Sequence, residues 1–213
     1  MTLLRYARLA LLLGSVTFPY APAVAAEDFV YAPQDCEMQV TFPEKPFFQT
    51  KCTQAGDKEI CSEIVNFTKV IDATASTNIR VSCYKGDADE LKNYSPEVMK
   101  ETLKQMTLQS LNVEPQDVRA SEEGGFKKAL SLAIASRNDI PVIYTAQIWI
   151  GKTSIFTIES EMLGPQNEEV EKAFATILRN TLPKEEAAKA AKATSQPDLK
   201  PEGPAKSAPS AKP

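Results

Sequence analysis

Alternating apolar and polar positions in the amino-terminal half of the chain predict a set of short strands. Apolar residues alternate with polar ones from Cys36 to Phe42, which is the period of a strand with one buried face. The same pattern recurs over residues 47–53, 60–70 and 79–83. Turn-forming residues separate these runs, so we expect antiparallel hairpins.

The pattern then changes to a helical period. Ser95-Pro96-Glu97 combines a capping serine, a proline at the first helical position and an acid in the first turn. Apolar residues recur at helical spacing until this helix ends before Pro115. A second helix is predicted after Asn167, and Pro183 stops it.

A second group of strands lies between the two helices. Gly124-Gly125 opens it, and strands are predicted over residues 126–135, 142–150 and 154–159. The first of these strands has a face of alanine and serine that a helix can approach closely. Residues 142–150 are apolar on both faces, which is typical of a central strand covered on both sides.

The segment 146–153 loosely matches a phosphate-binding loop. That chemistry requires a glycine-rich cradle followed by a helix, whereas strands lie on both sides of Gly151-Lys152. We therefore predict a two-residue hairpin turn with glycine first, as type II′ turns prefer. This turn would pair Ile148 with Ile155.

These elements predict an α+β domain over residues 27–183. Their order is four strands, a helix, three strands and a helix, so we expect a mainly antiparallel sheet of about seven strands flanked by helices. Residues 184–213 are rich in alanine, lysine and proline. Such a segment buries too little apolar surface to offset its ordering entropy, so we predict a disordered tail. An intermittent extension of the preceding helix over residues 185–193 stays open.

The first 26 residues have the three parts of a secretory signal peptide. Arg5 and Arg8 precede the apolar run Leu9–Phe18, and small residues follow it. This run of about ten residues is half the ~20 that a membrane-spanning helix needs. We expect cleavage near Ala25 or Ala26, a periplasmic or secreted location, and no stable membrane insertion.

The amino-acid composition excludes several classes of function. The chain contains no histidine, which excludes Ser-His-Asp and Cys-His catalysis and most catalytic zinc sites. The signal peptide carries two arginines and no acids, so its removal would take the formal net charge from −4 to −6. Such a chain, with no basic stripe, is ill suited to nucleic acid. We predict no cofactor, no metal site and no catalytic residues, and hence a protein that is not an enzyme.

The chain has four cysteines within one third of the predicted domain: Cys36, Cys52, Cys61 and Cys83. No two of them have the Cys-x-x-Cys spacing of redox motifs or zinc ribbons. In an exported chain they predict two structural disulfides, with three pairings open. Strand parity favours Cys52 opposite Cys61 across a hairpin, because this register also pairs apolar residues on one face. Cys36 and Cys83 then remain for each other.

Three residues of the second strand group are candidates for a binding surface. Tyr144 and Trp149 lie on opposite faces of the predicted central strand, where core packing and a binding groove both stay open. Glu159 shares a strand face with Glu161. A carboxylate pair of this kind can serve in acid–base chemistry on sugars or form a solvated rim.

Two segments resemble a known superfamily. The stretch from Tyr31-Ala32-Pro33 to Phe42-Pro43 resembles the opening of PsbP-like and DcrB-like domains, in which a tyrosine-containing lead-in precedes a strand ending in Phe-Pro. Residues 144–182 resemble their carboxy-terminal hairpin and helix. The resemblance spans residues 29–182 and implies an antiparallel sheet flanked by helices, with an accessory, assembly or binding role. Asp35-Cys36 replaces the usual glycine and aromatic residue, and no site residue is carried over.

Together these features predict an exported, disulfide-braced, non-catalytic accessory protein of the cell envelope that binds a partner protein or an envelope component. Two alternatives stay open. A hydrolase acting on cell-wall material through carboxylates or a Ser-Lys pair would have a cleft that contains Glu159 or another acid. A small-ligand carrier would have a deep apolar pocket between the sheet and a helix.

Overall fold

The computed structural model of the protein describes residues 27–55, 58–71 and 73–194. The predicted signal peptide (1–26) and residues 195–213 of the predicted tail lie outside these described residues. The elements, in chain order, are β1 (Phe29–Tyr31), β2 (Met38–Phe42), β3 (Phe47–Ala55), β4 (Lys58–Val70), β5 (Ser76–Lys85), α1 (Ala88–Lys92), α2 (Pro96–Leu111), β6 (Asp117–Glu123), β7 (Phe126–Arg137), β8 (Ile140–Ile150), β9 (Ser154–Leu163), α3 (Glu168–Arg179), β10 (Thr181–Pro183) and α4 (Lys184–Thr194).

The strands form two sheets. A seven-stranded sheet has the order β3-β4-β5-β9-β8-β7-β6, and a three-stranded sheet has the order β1-β2-β10. Neighbouring strands in both sheets are antiparallel. The expected α+β fold with a mainly antiparallel sheet is therefore confirmed.

The strands that form the seven-stranded sheet are not all the strands that were predicted for it. Strand β2, which was predicted to belong with β3, β4 and β5, pairs instead with β1 and β10. Strand β6 occupies one edge of the large sheet. Strands β1 and β10 have three residues each, too few for a periodic signal, and β6 is mostly polar because it is an exposed edge.

The three-stranded sheet and α3 cover one face of the large sheet, which we call the core face. Fully buried side chains from β2, β5, β9 and α3 meet there: Val40, Phe42, Val81, Phe156, Ile158 and Ile177. Phe42 stacks on Phe67 of β4, with their ring centroids 5.7 Å apart. Burying a large apolar side chain contributes ~1.5–3 kcal/mol, so this layer is the main source of stability.

Helix α2 packs on β6, β7 and β8 on the opposite face. Ser95 caps the helix as predicted, accepting a hydrogen bond from the backbone N–H of Val98. The buried residues Met99 and Leu103 pack against the small residues of β7 and β8. Among the described residues, the part of this face on β4, β5 and β9 next to the end of α2 stays open.

Two disulfides brace the amino-terminal half of the domain. Cys36 is joined to Cys83 and links the segment before β2 to β5, and Cys52 is joined to Cys61 across the β3–β4 hairpin. This is the pairing that strand parity favours. The first bridge ties the three-stranded sheet to the large sheet, and the second holds the β3–β4 hairpin together.

The turn between β8 and β9 is longer than predicted. The predicted pairing of Ile148 with Ile155 is wrong, because Ile150 pairs with Ile155. The four residues 151–154 lie between this pair, and Ser154 is also the first residue of β9. The carboxylate of Glu37 accepts hydrogen bonds from three successive backbone N–H groups of this turn, at 3.0–3.2 Å. A distant side chain therefore sets the turn length. Because the register shifts by two residues, every side chain keeps its face.

The carboxy-terminal segment begins with a helix. Lys184–Thr194 form α4, which covers the stretch 185–193 where the sequence left a helical extension open. Alanine, lysine and glutamate are strong helix formers, and the backbone N–H of Lys184 donates to the carbonyl of Glu37 at 2.9 Å, which fixes the first residue. None of the helices in the described residues is long and apolar enough to cross a membrane.

Candidate functional site

A polar groove lies on the open part of the large sheet, beside the carboxy-terminal end of α2. Its cavity volume is about 220 Å³. Of the polar residues that line it, eight lie on this face of four strands or on α2: Asn66, Thr68, Asn78, Arg80, Ser110, Tyr144, Glu159 and Glu161. We refer to these residues as the polar groove.

The register of the sheet arranges these side chains in two rows across the strands. Asn66 of β4 is opposite Arg80 of β5, and Arg80 is opposite Glu159 of β9. The second row contains Thr68, Asn78, Glu161 and Tyr144 in the same way. Because residues paired across antiparallel strands lie on the same face, each row points into the groove.

Tyr144 and Glu159 form the inner wall of the groove. The Tyr144 hydroxyl donates to Glu159 Oε2 at 2.8 Å. Ser110 Oγ of α2 lies 3.3 Å from the same carboxylate oxygen and 3.4 Å from the Tyr144 hydroxyl. Burial raises the pKa of Tyr144, and the nearby Glu159 carboxylate raises this pKa further. Tyr144 therefore stays protonated and acts as a hydrogen-bond donor.

Glu161 is held by a side chain from β7. Arg137 Nη1 and Nη2 donate to the two carboxylate oxygens of Glu161 at 2.9 and 3.0 Å. Arg137 Nη2 also lies 3.4 Å from the carbonyl oxygen of Ser110. A bidentate pair of this kind fixes geometry as well as charge, so it anchors the end of α2 to the sheet beside the groove.

The outer part of the groove presents hydrogen-bond donors to solvent. Thr68 Oγ1 donates to Asn78 Oδ1 at 2.8 Å, which leaves the amide NH₂ of Asn78 as its remaining donor group. Arg80 is exposed and makes no ion pair with a carboxylate of the described residues. A cation in this state can bind a ligand without first losing a partner.

A second cavity of about 340 Å³ continues the groove toward the edge of the sheet. Both cavities are lined by residues 66–68 of β4. Phe47 of β3, at the far side, is opposite Asn66 and is 69% exposed. The row of Asn66, Arg80 and Glu159 is therefore extended by Phe47, and it runs from an exposed aromatic ring through an amide and a guanidinium to a carboxylate.

The structure separates the three residues predicted for a binding surface. Tyr144 and Glu159 are in contact in the polar groove, whereas Trp149 lies on the core face and is 7% exposed. The ammonium group of Lys128 is 4.1 Å from the centroid of the Trp149 ring, and Trp149 Nε1 donates to Gln147 Oε1 at 3.1 Å. Trp149 is thus a packing residue in this fold, and the three residues do not form one surface.

Sequence reasoning missed the other members of the groove, notably Asn66, Asn78, Arg80 and Ser110. A usable signal is present, because β4, β5 and β9 each alternate apolar and polar residues over the same stretch. The order β4-β5-β9 that aligns the polar positions joins distant parts of the chain, and the local pattern carries no information on this order.

The two carboxylates of the groove are held by neighbouring side chains. Both oxygens of Glu161 are occupied by Arg137, and Glu159 Oε2 is occupied by Tyr144. The loosely matching phosphate-loop segment does not contribute a site, because Glu37 already fills the position that an anion would take in that turn.

Comparison with known proteins shows little similarity. No protein-family model matches the chain, and no curated protein matches it. A crystal structure from Bacteroides thetaiotaomicron, determined at 1.50 Å resolution, is similar over 72% of this chain at 13% identity, with a TM-score of 0.30. The chain spans about half of that structure's length, 48%. Neither fold nor function is carried over from it.

Proposed function

We propose that the protein is a non-catalytic binding protein that works outside the cytosol, and that the polar groove is where it binds an envelope component or a partner protein. The observation that carries this proposal is the contrast between the groove and its surroundings. The groove leaves an unpaired guanidinium, amides and a carboxylate open on a sheet that is otherwise largely covered.

The two disulfides support a location outside the cytosol. Two cystines in one domain are typical of proteins that fold in an oxidising compartment. The resemblance of residues 29–182 to PsbP-like and DcrB-like domains points the same way, because those families are mostly accessory, assembly or binding proteins.

The alternatives have less support. A small-ligand carrier needs a deep, mostly apolar pocket, whereas the groove is lined by polar side chains of four strands and lies open on the face of the sheet. A carboxylate hydrolase needs two acids that can reach the substrate, and Arg137 occupies both oxygens of Glu161.

Site-specific photo-crosslinking tests the proposal. A benzoylphenylalanine replaces Phe47, whose ring is exposed at the edge of the groove, in the full chain expressed in the host that exports it. The matched control places the same residue at Ile134, which is 57% exposed and lies on the opposite face of the same sheet.

We expect a covalent adduct with envelope material from position 47 and none from position 134. The absence of an adduct at 47, or equal adducts at both positions, would contradict the groove as the binding surface.

A further inference from the structure

The row formed by Asn66, Arg80 and Glu159 offers hydrogen-bond donors and acceptors on flat side chains. Asn66, Arg80 and Glu159 are on adjacent strands, which lie ~4.8 Å apart. The Asn66 amide and the Arg80 guanidinium are planar and can each make two parallel hydrogen bonds. Glu159 adds its second carboxylate oxygen, Oε1, as an acceptor, because Oε2 is bonded to Tyr144. Pairs of neighbouring sugar hydroxyls present matching pairs of donors and acceptors.

Phe47 extends this row with an apolar surface. Its ring is 69% exposed and lies next to the cavity that residues 66–68 share with the groove. An aromatic ring packs well against an apolar surface of similar size, and the C–H faces of pyranose rings are such surfaces. A ring beside planar polar groups therefore suits a ligand with flat apolar faces and polar edges.

The charges around the groove nearly balance. Glu159 lies beside the unpaired Arg80, and Glu161 is neutralised by Arg137. The adjoining cavity adds Glu44 and Lys45. Nucleic acids and anionic lipid surfaces bind patches of many lysines and arginines, whereas Arg80 and Lys45 are the two cations among the described residues that line these cavities. Balanced charges of this kind suit an uncharged ligand.

We propose that the ligand of the groove is a linear, uncharged glycan chain that lies across β3, β4, β5 and β9, with one sugar ring stacked on Phe47 and neighbouring hydroxyls bonded to Asn66, Arg80 and Glu159. This inference rests on the proposed function and names the substrate class of the same site. β-linked glucose and N-acetylglucosamine chains share the required flat faces and equatorial polar groups.

Isothermal titration calorimetry of the oxidised, exported protein with cellohexaose and with chitohexaose tests the inference and distinguishes the two sources. We expect saturable binding of at least one oligosaccharide. Phe47→Ala should weaken it about tenfold, the effect of losing ~1.4 kcal/mol of stacking and buried area. Phe47→Trp should retain it, and Arg80→Ala should weaken it by a similar factor.

Two matched variants serve as controls. Ile134→Ala removes an exposed apolar side chain from the opposite face, and Arg119→Ala removes an exposed arginine of β6 that pairs with Asp117. Both should leave the dissociation constant unchanged within a factor of two or so, as expected for surface positions away from the ligand.

If neither oligosaccharide binds, or if Phe47→Ala binds as well as the unmodified protein, the glycan assignment is overturned. Adducts at position 47 in the crosslinking experiment would then still support the proposed function with another ligand class. If no oligosaccharide binds and position 47 also gives no adduct, the glycan assignment and the proposed function are both overturned.

Discussion

The two faces of the seven-stranded sheet are built differently although they belong to the same strands. The core face is covered by the three-stranded sheet and α3, and most of its buried side chains from β4 to β9 are apolar, with Thr77 and Ser160 among the buried polar exceptions. On the other face, α2 covers β6, β7 and β8, and β4, β5 and β9 present amides, hydroxyls and charges to an open groove.

Along each strand, apolar and polar residues alternate, so one strand can contribute to the core on one face and to a binding surface on the other. Val65, Val81 and Ile158 are buried on the core face, and the residues that follow them, Asn66, Ser82 and Glu159, lie on the open face. The apolar positions supply most of the stability, and the outer polar positions Asn66, Asn78 and Arg80 contribute little to it, so this part of the open face is free to bind. Substitutions on the two faces should therefore have separable effects on stability and on binding.

The largest effect is expected on the core face. Phe156→Ala removes a side chain that is 0% exposed and should lower the free energy of unfolding by ~3–5 kcal/mol. Urea denaturation followed by tryptophan fluorescence measures this loss. Asn78→Ala on the open face of the neighbouring strand is the control, and equal losses for both variants would remove the distinction between the faces.

Removal of the Cys36–Cys83 disulfide should lower the free energy of unfolding more than removal of the Cys52–Cys61 disulfide. The Cys36–Cys83 bridge spans 47 residues and the Cys52–Cys61 bridge spans 9. Chain entropy assigns ~4 kcal/mol to the long bridge and ~2.7 kcal/mol to the short one. Replacing each pair with serine and measuring urea unfolding should rank the variants in that order, and a larger loss from the hairpin bridge would contradict the ranking.

Glu37 should make stability depend on pH. Partial burial raises the pKa of Glu37, but hydrogen bonds from Thr153, Lys152 and Ser154 outweigh this effect, so the net pKa lies below its ordinary value of 4.5. A lowered folded-state pKa gives stability that is fully present above the unfolded pKa and is lost as the pH falls through the folded pKa.

Glu37→Gln should therefore cost ~1–2 kcal/mol near neutral pH, a range discounted for partial exposure. The difference from the unmodified protein should shrink as the pH falls below 4.5. Urea unfolding at several pH values measures it. A difference that grew toward acid pH would contradict the role of the carboxylate in the turn.

A smaller effect is expected at the inner wall of the groove. Tyr144→Phe removes the hydroxyl that donates to Glu159 and keeps the buried ring, so the free energy of unfolding should fall by ~1 kcal/mol. Thermal and urea unfolding measure the change. A loss as large as that of Phe156→Ala would mean that the contact is structural and not part of an open binding surface.

The sequence predicted the parts of the fold that depend on local pattern. Ser95 and Asn167 cap their helices because capping needs only a few neighbouring residues. The parity that places Cys52 opposite Cys61 depends on one hairpin. In each case the interacting residues are close in the chain.

Features that depend on distant partners could not be predicted in this way. Strand β2 leaves the large sheet because β10 pairs with it from the far end of the domain. The turn at residues 151–154 is set by Glu37. Arg80 lies opposite Glu159 only because β5 is the neighbour of β9 in the sheet.

The most direct test of the account is a paired measurement on Asn78→Ala combined with Arg80→Ala. The free energy of unfolding should stay within ~0.5 kcal/mol of the unmodified protein, as for other surface substitutions. Co-sedimentation with isolated envelopes should be lost in this variant and retained in Arg119→Ala. Unchanged co-sedimentation, or a loss that accompanies destabilisation of several kcal/mol, would contradict the claim that this open face exists to bind.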